Sequence, residues 1–77
     1  MFLLNVKDVI NDDDYIYTCS NIQELRSDLY YTLKKIKQVT EFDYSIAKIV
    51  NKVIRFNSFR LYNSLNYCLL SINVRFK

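Results

Sequence analysis

Apolar residues recur through the middle of this chain at Ile22, Leu25, Leu29, Leu33 and Ile36, spaced three, four, four and three. That is the helical period, held on one stripe for four turns. Ser20 stands three residues before Gln23, a capping-box pattern in which each side chain satisfies a free backbone N–H at a helix start. Lys34, Lys35 and Lys37 crowd the other end, where cations complement the helix dipole. The spacing predicts a helix within 20–38.

Thr40 followed by Asp43 repeats the start signal, and Phe42, Ile46, Ile49, Val50 and Val53 form a second stripe. A second helix is expected over 41–56, with Lys48, Lys52 and Arg55 sharing the face away from that stripe. Beyond it, Asn57 or Ser58 can N-cap a third helix over 58–70 carrying Leu61, Tyr62, Leu65, Cys68 and Leu69. The alternative is one helix over 41–69, about 43 Å long at 1.5 Å per residue.

The two ends of the chain read differently from its middle. Phe2–Val6 is apolar and partly β-branched, Tyr15–Thr18 is a strong strand former, and the turn-forming Asn11–Asp14 lies between them, which predicts a hairpin of 2–7 and 14–18 within 1–19. Val6–Ile10 can equally begin a short helix. Ile72, Val74 and Phe76 alternate with polar residues, so 71–76 reads as a strand able to pair with the hairpin, or as the frayed end of the third helix. The expected fold is a single mainly α domain spanning 1–77. It is a small two- to three-helix bundle, with a short N-terminal hairpin and a C-terminal strand as its α+β variant.

The chain has no glycine and no proline. Its turns must be made by Asn, Asp and Ser, and nothing strong is available to stop a helix. Glycine-rich phosphate loops are excluded, the Walker loop and the dinucleotide fingerprint among them. Phe, Tyr, Met, Ile, Asn and Lys supply 36 of the 77 residues, whereas Gly, Ala, Arg and Pro supply 5. This is the skew of an AT-rich genome, such as that of a virus, phage, organelle or plasmid. One alternative is therefore the product of an open reading frame without evolved function, which would lack a cooperative thermal transition.

A domain of 77 residues has a small core, yet 51% of this one is apolar and it carries seven Tyr and five Phe. Apolar surface in excess of the core argues for an interface with a protein partner or a second copy. Cys19 and Cys68 can make at most one disulfide. No signal peptide is read at the N-terminus and no apolar run is long enough to span a membrane, so the chain is expected to be intracellular and soluble, its thiols reduced, buried and inert.

Charge is unevenly placed. Residues 1–28 hold six acids against Lys7 and Arg26, a balance of −4, and residues 29–77 hold nine bases against Glu41 and Asp43, a balance of +7. Without histidine the usual general base is missing, and Asp12–Asp14 read as turn-forming, solubilising acids. No catalytic, cofactor-binding or metal-binding residues are assigned. The bases Lys34, Lys35, Lys37, Lys48, Lys52, Arg55 and Arg60 are the candidate contacts for nucleic acid or another anionic partner. Ser45–Asn51 faintly resembles the first helix of a degenerate helix-turn-helix, whose second helix would present Ser58, Arg60, Asn63 and Asn66. The expected function is non-enzymatic: an accessory or regulatory protein that binds a protein partner or itself, the alternative being a small basic DNA- or RNA-binding protein.

Overall fold

Two helices lie on one face of a four-stranded antiparallel sheet in the computed structural model, which describes residues 1–40 and 42–76. The elements run β1 (Phe2–Asp8), β2 (Asp13–Cys19), α1 (Ile22–Val39), α2 (Ile46–Phe56), β3 (Ser58–Tyr62) and β4 (Cys68–Phe76). Strand order is β2-β1-β4-β3, so the two hairpins meet along β1 and β4 and the chain termini are neighbours at the sheet's centre.

The fold is α+β, which corrects the expectation of a mainly α bundle: β-strands occupy nearly as many residues as helices. The error lies in 58–70. Instead of a third helix this stretch holds β3, a tight loop and the start of β4. Asn57 does not start a helix there. It ends α2 in the left-handed conformation (φ 63°), donating its N–H to the Val53 carbonyl at 2.8 Å. Asn tolerates that conformation better than other non-glycine residues, so it performs the stop that glycine usually supplies. The other positive-φ residues described are Asp12 and Asn66, both in turns of the two hairpins.

Helix starts also differ from expectation. Asn21, rather than Ser20, caps α1: its side chain accepts from the Glu24 N–H at 2.9 Å, and the Glu24 carboxylate accepts from the Ser20 N–H at 2.6 Å. The expected Ser20–Gln23 box does not form: the cap is one residue later, and Glu24 reaches back to the N–H of Ser20, the residue before the cap, rather than to that of Asn21. Ser45 caps α2. Thr40, expected to begin that helix, instead closes α1, and Glu41 lies outside the described residues.

The core forms between the layers. Leu25, Leu29, Leu33 and Ile36 of α1 and Ile49, Val50 and Val53 of α2 descend onto Leu4 and Val6 of β1 and Leu70, Ile72 and Val74 of β4. α1 rests on β1 and β2 alike, and α2 rests on β3 and β4. The only buried carboxylate among the described residues is Asp8, at the end of β1. It accepts from the Asn11 side-chain N–H at 2.7 Å and lies within 3.3 Å of the Thr40 hydroxyl. This cluster ties the β1–β2 turn to the end of α1.

Candidate binding surfaces

The seven bases singled out from the sequence do not form one surface. Six lie on the helix layer, which is strongly cationic: α1 carries four bases and two acids, and α2 carries Lys48, Lys52 and Arg55 with no acid. Several lie over aromatic rings. The Lys35 ammonium is 5.4 Å from the Tyr15 ring, that of Lys37 is 5.3 Å from Phe42, and the Arg55 guanidinium is 5.3 Å from Phe56. The Lys52 ammonium lies 5.8 Å from Tyr44 and 6.0 Å from Phe59. Because Tyr15 is on β2 and Phe59 on β3, Lys35 and Lys52 lean toward opposite edges of the sheet. Lys34 and Lys48 are exposed.

Arg60 is separated from the other six. It stands on the face of the sheet that the helices leave open, in a cross-strand row with Ser71, Lys7 and Asp14. The next rows are Ser58, Asn73, Asn5 and Ile16, then Arg75, Leu3 and Thr18. The open face therefore collects Lys7 and Arg75 beside Arg60. The alternation over 71–76 is the sequence signal that places Arg75 there; Lys7 carries no such signal by itself. The Lys7 ammonium is 3.5 Å from the Asp12 carboxylate. This face is mostly hydroxyls, amides and charges, as expected of an antiparallel sheet with one side in water.

A cleft of about 470 Å³ opens between the α1–α2 connection and the β3–β4 loop, with Asp43, Tyr44, Tyr62, Asn63 and Ser64 among its walls. One of its polar groups is already committed: the Asn63 side-chain oxygen accepts from the N–H groups of Leu65 and Tyr67 at 2.9 and 3.0 Å, which folds the loop on itself. No family model, curated protein or solved structure matches this chain. No helix among the described residues is long and apolar enough to cross a membrane. Among the described residues, no three His, Cys, Asp or Glu side chains gather as a metal site would require.

The two cysteines are unpaired. Cys19 sits opposite Phe2, whereas Cys68 lies beyond the Asp8–Leu70 pair at the other end of the sheet. Six strand residues separate those levels, roughly 20 Å at 3.4 Å per residue, and a disulfide tolerates Cα atoms no more than about 7 Å apart. Cys19 is fully buried, and its Sγ is 3.4 Å from an Asp28 carboxylate oxygen. Burial, followed by the hydrogen bond and negative charge of Asp28, raises the thiol from 9.0 to about 11. At neutral pH a thiol alkylating reagent is expected to modify half-buried Cys68 and to reach Cys19 only after unfolding, which mass spectrometry of the intact protein reads directly. Because the folded state holds the Cys19 proton more tightly than the unfolded state, this contribution to stability is full below about pH 9 and is lost as pH rises toward 11. A Cys19→Ala variant is expected to lack that part of the alkaline decline.

Proposed function

We propose that the protein is a non-enzymatic accessory or regulatory protein that acts by binding a protein partner or a second copy of itself. The observation that carries this reading is the balance of apolar side chains. Fourteen hydrophobic residues are buried in the core, and thirteen large ones stand exposed among the described residues. Tyr31, Phe56, Leu65, Tyr67 and Phe76 are each more than 60% exposed. Scattered exposed apolar residues are ordinary, but Tyr and Phe are interface-forming types, and here exposed residues nearly match the core in number.

A second reading rests on α2, whose three bases and missing acids suit the phosphates of a nucleic acid. Its helix-turn-helix form is not carried forward, because 58–62 is a strand and no helix follows α2 among the described residues. Sedimentation velocity, run from low-micromolar to near-millimolar protein with and without a labelled DNA duplex, separates the readings. Association of the protein alone, with the DNA left free at low salt, is the expected result. A monomer that binds the duplex with a steep salt dependence would replace the first reading with the second.

A further inference from the structure

We propose that two copies of this chain join through the outer edges of β2, in antiparallel register about a two-fold axis at Ile16, to make one continuous eight-stranded sheet. This rests on the reading of the protein as a binding module and names the surface and the partner. β2 and β3 are the sheet's two edges. Edge strands usually carry protection against pairing: short length, a bulge, a proline or a central charge. β3 has three of these. It is five residues long, its pairing shifts at Leu61/Tyr62, and a two-fold about its central residue would set Arg60 against Arg60.

β2 has seven residues, and the register of its pairing with β1 runs without interruption. Its centre is Tyr15-Ile16-Tyr17, and its charges, Asp13 and Asp14, lie at one end. Antiparallel pairing about Ile16 sets Asp14 opposite Thr18, Asp13 opposite Cys19 and Tyr15 opposite Tyr17. No acid then faces another across the junction, and both Tyr pairs are of the aromatic cross-strand kind that stabilises sheets.

The helix layer fits the same axis. α1 runs back along β2, with Asp28 at Cys19, Thr32 bonded to Tyr17 and Lys35 over Tyr15. Tyr31 and Gln38 lie four residues before and three after Lys35, so they occupy the flank nearest the edge. A shallow groove of about 440 Å³ lies there, lined by Tyr31, Lys34, Lys35 and Gln38. Since α1 sits over the seam between β1 and β2, strands about 4.8 Å apart would place the two α1 helices roughly 10 Å apart, the distance at which helices pack. Each groove would then face the partner's Tyr31. Tyr31 is 66% exposed and Ile16 62% exposed, one on each side of the edge, and both would be covered.

The test is sedimentation velocity of the full chain and three variants, with thermal melts to confirm that each folds. Ile16→Lys places two ammonium groups face to face and is expected to weaken the dimer about tenfold or more. Arg60→Glu, on the β3 edge, is expected to leave it unchanged. In a Cys68→Ser background, Ile16→Cys is expected to crosslink to itself under mild oxidation, whereas Thr18→Cys, which would face Asp14, is not. A monomer throughout the concentration series overturns the proposal together with self-association. A dimer that survives Ile16→Lys, or equal crosslinking at positions 16 and 18, overturns the β2 edge alone and leaves the broader reading standing.

Discussion

Leu29→Ala is expected to lower the melting temperature by roughly 12–24 °C, taking a cavity cost of about 3 kcal/mol and 4–8 °C per kcal/mol at this chain length. Leu29 has no exposed surface and lies mid-helix in the stripe that joins α1 to the sheet. Truncation leaves a void that the rigid pleat of β1 cannot close. A domain of this size has only about 4–12 kcal/mol of total stability, so the variant should be partly unfolded in mild urea where the parent is intact. Ser27→Ala, two residues away on the exposed side, should shift stability by no more than about 0.5 kcal/mol. Paired thermal and urea denaturation measures both. A non-cooperative transition in the parent would remove the basis of the comparison and favour an open-reading-frame product without evolved function. A Leu29→Ala curve overlying that of the parent would deny that the α1 stripe forms the core.

That stripe was legible because five apolar positions keep the helical period over four turns, too long a run for a strand to imitate. The segment after Asn57 was not. Phe59 and Leu61 point inward between Ser58, Arg60 and Tyr62, which is a strand's alternation. Yet Leu61, Tyr62, Leu65, Cys68 and Leu69 also satisfy a helical spacing, and over five residues the two periods cannot be separated. What decides between them is Asn57, and a sequence does not show that an Asn will turn left-handed rather than cap the next helix. The grouping of the candidate bases turns on the same point. Once 58–62 is a strand, Arg60 belongs with Lys7 and Arg75 on the open face and no longer with α2. The Asp8 cluster was invisible because its members lie up to 32 residues apart in the chain. Asp8, read alone, is an unremarkable polar residue at the end of a strand.

Asp8→Ala is the second large expected effect, a loss of about 2–3 kcal/mol, the range for a hydrogen-bonded carboxylate. One oxygen accepts from the Asn11 side-chain N–H at 2.7 Å and lies 3.3 Å from the Thr40 hydroxyl, and the other accepts from the Asn11 backbone N–H at 3.3 Å. Asn11 also donates to the Thr40 hydroxyl at 2.7 Å, so the three residues form a closed set in which each is partnered by the other two. Removing the carboxylate relieves its own desolvation, which works against the loss. It also leaves the buried Thr40 hydroxyl proton without its acceptor and removes both Asn11 contacts that hold the turn, and these losses outweigh the relief. Asp8→Asn should cost less, because the Asn11 amide can turn over and accept from the new side-chain N–H. The diagnostic is a double-mutant cycle with Thr40→Ala. Residues acting as one network couple by more than about 0.5 kcal/mol, so Thr40→Ala should cost much less once Asp8 is gone. Strict additivity would mean that Thr40 and Asp8 act separately, and the β1–β2 turn would then be held against α1 by core packing alone.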